Sequence, residues 1–182
     1  MLRIIGGLYR SRKLLQPPMA ITRPTKDRVR EAIFSAIGNK VVDANVLDLF
    51  AGSGAYGLEA LSRGAKFVHF NDQHPEAVKT IEANVNSLKI DQVKITRLDA
   101  FELIQSDTFN KSHFHILFLD PPYAYSQLEV LIQKLFESHL LIQGSIIVLE
   151  NESAHHHLNQ DKWNVKSYNY GRTYVHIGSI KK

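Results

Sequence analysis

The sequence predicts an α/β fold in which a mostly parallel sheet is closed by a C-terminal antiparallel hairpin and preceded by a basic N-terminal arm. Three observations predict it. From Val46 onward, apolar runs alternate with turns and amphipathic stretches, the grammar of repeated βαβ units. The runs Ile116-Leu117-Phe118-Leu119 and Ile146-Ile147-Val148-Leu149 are apolar without interruption, as parallel strands covered on both faces are. The last two strand-like segments, Trp163 to Tyr170 and Thr173 to Ser179, are joined by Gly171-Arg172 alone, which leaves no room for a crossover helix and requires antiparallel pairing at the sheet edge.

A chain of 182 residues, 44% hydrophobic and 22% charged, can bury one core and is too short for two ordinary domains. Residues 1–182 are therefore read as one domain, a basic arm over 1–38 on a body over 39–182. There is no cysteine, which excludes disulfides and thiolate catalysis. No apolar run approaches the roughly 20 residues of a membrane span, and Met1 to Ala20 has arginines where a signal peptide needs an apolar segment. A soluble cytoplasmic protein is expected. The net charge of +4 is unevenly placed: through Arg30 there are eight Lys/Arg and one acid, Asp27, while the rest carries fourteen basic and seventeen acidic residues. A positive arm on a near-neutral body outlines a nucleic-acid contact, although a basic cluster alone is equally a solvated face.

In the arm, Leu2 to Ile5 and Lys13 to Leu15 read as short strands of a hairpin around Gly6-Gly7 and the turn near Tyr9-Arg10-Ser11. Pro17-Pro18 ends it, and Arg23-Pro24-Thr25 sets up a helix with Thr25 as N-cap and Asp27 in the first turn. Val29, Ile33, Phe34 and Ile37 share one face, Lys26, Arg28 and Arg30 point outward, and Gly38 supplies the stop. Arg10, Arg12, Lys13, Arg23, Arg28 and Arg30 are thus offered to a phosphate backbone. In the body, strands fall at Val46 to Phe50, Phe67 to Phe70, Val93 to Thr96, Ile116 to Leu119 and Ser145 to Leu149. The helix after the first strand ends before Gly64. Pro75 opens the next, which turns Ala77, Val78, Ile81, Val85 and Leu88 inward, and another spans Gln127 to Ser138.

Gly52, Gly54 and Gly57 match G-x-G-x-x-G between an apolar strand and a helix, which by itself suggests a dinucleotide site. Asp48, at the carboxyl end of that strand, argues otherwise. A pyrophosphate seated there would face a carboxylate, whereas S-adenosylmethionine presents an α-ammonium group that wants one. An isolated aspartate would read as a turn cap; the following glycines favour a ligand. Asp72 ends the second strand 20 residues beyond Gly52, where an acid accepts from ribose hydroxyls in either cofactor class. Asp99-Ala100, after the third strand, puts a carboxylate at an adenine edge and is equally a helix N-cap for Ala100 to Gln105. The cofactor-binding set is Asp48, Phe50, Gly52, Ser53, Gly54, Asp72, Asp99 and Ala100.

Asp120-Pro121-Pro122-Tyr123, at the end of the fourth strand, is the most specific signal in the chain. Two prolines withdraw backbone donors and stiffen the turn, leaving the Asp120 carboxylate and the Pro121 carbonyl as fixed acceptors, with Tyr123 as a stacking surface. That suits an exocyclic amine on a flat ring: accepting from its hydrogens makes the nitrogen more nucleophilic. Asp120, Pro121, Pro122 and Tyr123 are the expected catalytic residues.

With these motifs in place, the chain resembles the bacterial 16S ribosomal RNA guanine-N2 methyltransferases (RsmD-like). The resemblance runs through Arg3-Ile4-Ile5-Gly6-Gly7, Arg12-Lys13-Leu14, Arg23-Pro24-Thr25 and Arg28-Val29-Arg30-Glu31. It continues through Leu47 to Gly54, Gly57-Leu58-Glu59-Ala60 and Asp120 to Tyr123. It implies a Rossmann-like S-adenosylmethionine-dependent methyltransferase fold and transfer of one methyl group to the N2 of a specific guanine. The implied partner is 16S ribosomal RNA in an assembled or partly assembled small subunit. No metal is required, no obligate protein partner is implied, and a monomer is expected. The family more often has Glu where Asp72 stands, and commonly Leu in place of Tyr56. The alternatives are a DNA adenine-N6 methyltransferase, an NAD-dependent oxidoreductase and a non-catalytic RNA-binding assembly factor.

Other candidates are set aside. His155-His156-His157 reads as a polar loop, since three consecutive histidines share no face in regular structure. Trp163, Tyr168, Tyr170 and Tyr174 read as edge-sheet packing, and Glu150 as a capping residue.

Overall fold

A computed structural model describes residues 2–18, 27–106, 109, 113–122 and 125–181. Arg23, Pro24, Thr25, Lys26 and Tyr123, with the roles expected of them, lie outside the described residues. Five strands run parallel: β1 (Asn45–Asp48), β2 (Phe67–Asn71), β3 (Val93–Thr96), β4 (Phe114–Leu119) and β5 (Leu141–Asn151). The hairpin β6 (Trp163–Tyr170) and β7 (Thr173–Ile180) closes the sheet, β7 pairing antiparallel with β5. The strand order is β3-β2-β1-β4-β5-β7-β6, so the parallel strands β1 and β4 flank the point where the order of strand addition reverses, which opens a crevice beyond their carboxyl ends.

Alternation along the buried strands sorts the core into two layers. Val46, Val68, Ile116, Phe118, Ile146 and Val148 face α1 (Asp27–Ile37), α2 (Ala55–Ser62) and α3 (Pro75–Leu88). Leu47, Leu117, Leu119, Ile147 and Leu149 face α4 (Ala100–Gln105) and α5 (Leu128–Glu137). Among the described residues, no helix is long and apolar enough to cross a membrane.

The expected strands and helices are present, with two informative differences. β5 starts at Leu141, earlier than its apolar run, because Ser145 Oγ accepts from Ile142 N–H and donates to the Phe114 carbonyl, bridging the irregularity in the β4–β5 ladder. The N-terminal hairpin forms one bridge, Arg3 with Lys13, in place of two strands; backbone hydrogen bonds from Ile4 N–H to the Arg12 carbonyl, Ser11 N–H to the Ile4 carbonyl and Leu14 N–H to the Leu2 carbonyl join its arms, and Leu2, Ile4 and Leu14 are buried in the same layer as α1.

Arg30 is a correction. It is 0% exposed and is not offered to RNA. Arg30, Ile33, Phe34 and Ile37 follow i, i+3, i+4, i+7, so the helical period itself puts the arginine on the apolar face. Its guanidinium donates to the Arg3 carbonyl (2.5 Å) and to Asp27 (3.1 Å), and its Nε lies 3.9 Å from the fully buried Glu59 carboxylate. Glu59 also accepts from Ile5 N–H (2.7 Å), Gly6 N–H (2.9 Å) and Arg63 Nε (2.7 Å), which staples the arm to α2. Arg10, Arg12, Lys13 and Arg28 are exposed as expected.

Candidate active site

The turn after β1 is built by its glycines and closed by two carboxylates. Gly54 holds φ +77° as the N-cap of α2, a left-handed conformation that glycine adopts without cost. Gly57 serves packing instead: a Cβ there would lie 2.2 Å from a Phe70 ring carbon, so its absence lets α2 lie against β2. Asp48 Oδ2 accepts from Gly57 N–H (3.0 Å), and Asp72 accepts from Gly52 N–H (2.9 Å) and His74 N–H (2.9 Å). The two ends of the turn are thus tied to the ends of β1 and β2. Asp48 is buried, and burial pushes its carboxyl up to about 7, against the Gly57 hydrogen bond and with the Asp72 charge.

Beyond β2 and β3, Asn71 donates to the carbonyls of Leu49 (3.3 Å) and Leu98 (3.0 Å), setting the segment that leads to Asp99. Asp99 is the N-cap of α4: its carboxylate accepts from Phe101 N–H (2.8 Å) while Glu102 accepts from Asp99 N–H, a full capping box. The capping reading of Asp99 therefore holds; it does not displace the ligand reading, since a carboxylate has several acceptor positions. Ala100 is buried behind it, and Ser53 is half-buried at the tip of the glycine turn. Phe50 meets Tyr125 edge to face at 5.4 Å between ring centroids. The Tyr125 hydroxyl is pushed above its usual range by burial and by the charge of Asp99. Phe50, Asp99 and Tyr125 thus gather at one end of the crevice.

Next to Tyr125, Asp120 and Pro121 are half-buried and Pro122 is exposed. Tyr125 N–H donates to the Pro122 carbonyl (3.2 Å) and Leu128 N–H to the Tyr125 carbonyl (3.3 Å), so the proline turn runs directly into α5. The pairing of Leu119 with Leu149 makes Asp120 and Glu150 neighbours across adjacent strand ends. Glu150, expected as a capping residue, lies instead within β5. It accepts a short hydrogen bond from the Tyr56 hydroxyl, and the Tyr56 ring stacks on Phe118 at 4.8 Å and 15°. Tyr56 therefore lies in the packed floor between the glycine turn and β5, buried, its hydroxyl turned to the crevice side.

The hairpin of the arm sits further off. Its turn is held by Ser62, the last residue of α2, which accepts from Leu8 N–H (2.7 Å) and Tyr9 N–H (2.9 Å). Since α2 starts at the glycine turn, Arg10 and its neighbours lie about 10 Å away along the helix. His155 to His157 occupy the loop after β5, with His156 near His176 (5.7 Å between centroids). Among the described residues, no group of His, Cys, Asp or Glu is arranged to hold a metal ion.

Sequence reasoning missed Tyr125, Glu59 and Asn84. The first had a signal in its spacing, an aromatic just after the proline turn; the other two are polar residues on otherwise apolar helix faces, which only the packed partner explains.

The sequence matches the family described as conserved hypothetical protein 95 over residues 2–179. It is 34% identical over 163 residues to the Ribosomal RNA small subunit methyltransferase D of Haemophilus influenzae, covering 88% of this chain and 84% of that one. The solved structure of yhhF from Escherichia coli superposes with a TM-score of 0.88 at 32% identity, covering 99% of this chain and 98% of that one. An RNA methyltransferase from Salinibacter ruber, solved in complex with S-adenosyl-L-homocysteine, shares the fold at a TM-score of 0.66 and 19% identity, over 87% of this chain and 94% of that one. The fold is the Rossmann-like methyltransferase fold. The chain belongs to the conserved hypothetical protein 95 family, beside the small-subunit ribosomal RNA methyltransferases D.

Proposed function

We propose that this protein transfers a methyl group from S-adenosylmethionine to the exocyclic N2 amine of a guanine in 16S ribosomal RNA, within an assembled or partly assembled small subunit. The observation that carries the reading is the bond from Gly57 N–H to Asp48. The first donors of a helix after a glycine turn are where a pyrophosphate would bind, and here one is already taken by a protein carboxylate. A buried carboxyl held up to about 7 is relieved by a cation, not by a second anion. These residues fit S-adenosylmethionine and oppose NAD.

Asp48, Phe50, Gly52, Ser53, Gly54, Asp72, Asp99 and Ala100 would hold it, Asp72 toward hydroxyls and Asp99 toward an amine, with Phe50 and Tyr125 as apolar walls. When bound, it supplies a methyl group on a sulfonium, already a good leaving group that needs no metal. The chain's own contribution is orientation. Asp120 and the Pro121 carbonyl accept from the two hydrogens of the amine, Pro122 stiffens the turn, and Tyr123 stacks on a base taken out of its helix. Glu150 beside Asp120 favours guanine over adenine: guanine offers a second donor, N1–H, next to its amine, where adenine has a lone pair that a carboxylate repels. Residues 1–38 act as the RNA-contacting arm on the body over 39–182, with Arg10, Arg12, Lys13 and Arg28 toward phosphates and Arg23 assigned to the same role. The protein acts in the cytoplasm as a monomer.

The test is transfer of tritiated methyl from S-adenosylmethionine to small subunits, naked RNA and DNA in parallel, followed by nucleoside analysis. N2-methylguanosine from subunits is expected. N6-methyladenine from DNA, or no methyl transfer alongside tight NAD binding, overturns the proposal.

A further inference from the structure

Asn84, on α3 and 1% exposed, has no part in the proposed reaction, yet it touches both segments that the reaction needs. Its Oδ1 accepts from Leu15 N–H at 2.8 Å, and its Nδ2 donates to the Leu15 carbonyl at 3.1 Å and to the Ser53 carbonyl at 3.0 Å. A primary amide has two donor hydrogens. Here one is spent on the arm and the other on the glycine turn. Leu15 closely follows Arg12 and Lys13, and Ser53 is the residue between Gly52 and Gly54.

Neighbouring contacts run the same way. Ser87, one turn along α3, donates to the Asn84 carbonyl (2.8 Å), and its own carbonyl accepts from the Arg12 guanidinium at 3.2 Å. The turn rests on the same helix, since a Cβ on Gly54 would lie 3.3 Å from Ile81. The amide group is planar, so a displacement of the Ser53 carbonyl cannot be followed by one hydrogen without moving the other hydrogen and the oxygen. A buried donor or acceptor left unmatched is penalised, which makes the two segments move together.

We infer that Asn84 is a positioning residue that couples the two binding events: a ligand seated on the glycine turn steadies the arm at Leu15, and RNA on the arm steadies the turn. The inference rests on the function proposed above for those two segments. Coupling of this kind is reciprocal, so the factor by which the cofactor tightens RNA binding equals the factor by which RNA tightens the cofactor.

The test uses the full chain. Affinity for S-adenosylhomocysteine is measured by calorimetry with and without saturating unmethylated small subunits, and subunit affinity with and without S-adenosylhomocysteine. The wild type is expected to show a coupling of roughly five-fold or more, and Asn84→Ala and Asn84→Ser to bring it close to one. Equal coupling in wild type and variants overturns the inference, and so does a wild type that binds both ligands independently. Should both variants fail to fold, hydrogen exchange at the Leu15 amide of the wild type decides: slower exchange on saturation with S-adenosylhomocysteine supports the coupling, and an unchanged rate overturns it. A wild type that binds neither ligand refutes the functional reading itself, an outcome distinct from binding without coupling.

Discussion

Asp48 and Asp120 stand at the carboxyl ends of neighbouring strands and do different work because their surroundings differ. Asp120 is half-buried beside Glu150, and its proposed task is to accept from the target amine. Asp120→Ala is expected to lower methyl transfer by two orders of magnitude or more, on the order of what losing one aimed partner of a transition state costs. Affinity for S-adenosylhomocysteine, read by calorimetry, is expected to stay within a few-fold, and surviving activity refutes the assignment. Asp48 is buried with its carboxyl pushed up to about 7 from 3.8. A carboxyl raised on folding binds its proton more tightly in the native state. Its contribution to stability is therefore fully present below the unfolded value and is lost as pH rises through about 7. Asp48→Asn is accordingly expected to raise the melting temperature of the free protein at pH 8 more than at pH 5. The same variant is expected to weaken S-adenosylmethionine binding. In the wild type, that binding is expected to release protons near pH 7, measurable by calorimetry in buffers of different ionisation enthalpy.

Within α1, two arginines two residues apart separate binding from stability. Arg28 is exposed, whereas Arg30 is buried against Asp27, Glu59 and the Arg3 carbonyl. Arg28→Ala is expected to leave the urea midpoint almost unchanged and to reduce the salt slope of RNA binding by about one contact. A slope equal to that of the wild type returns Arg28 to a solvated face. Glu59→Ala removes the acceptor for two arm amides and leaves Arg30 short of its partner, so a loss of about 3–5 kcal/mol is expected in urea unfolding. A loss below about 1 kcal/mol would mean that the apolar contacts and the hydrogen bonds to Ser62 and Asn84 hold the arm without Glu59.

Across the whole molecule, the excess positive charge lies on one side of the chain's own order, the first thirty residues, while the glycine turn is flanked by the carboxylates of Asp48 and Asp72. The two binding events should therefore answer differently to salt. If Arg10, Arg12, Lys13 and Arg28 each meet a phosphate, log affinity for the subunit falls with log salt at a slope of about −3, with S-adenosylhomocysteine affinity nearly flat over the same range. Parallel slopes for the two ligands would argue against an arm devoted to RNA. The fold keeps the two regions distinct yet connected: α2 and α3 both begin at the crevice edge, and both carry polar residues, Ser62, Glu59 and Asn84, that hold the arm.

By itself the sequence determined the layers and the position of the acidic, glycine and proline motifs at the strand ends. Uninterrupted apolar runs of four residues indicated strands covered on both faces, and a two-residue link indicated an antiparallel hairpin, because these are local consequences of patterning and chain length. Asp48, the glycines and the proline turn were legible for the same reason: each is a short motif whose geometry is set within a few residues. Arg30 was misplaced outward although its own period put it with Ile33 and Phe34, because a guanidinium reads as exposed until its buried partner is known. That partner, Glu59, is 29 positions further along the chain, and Glu150, which receives the Tyr56 hydroxyl, is 94 positions from it. Only tertiary structure brings such residues together, since a hydrogen bond across the core depends on strand order and helix packing, which no local pattern encodes.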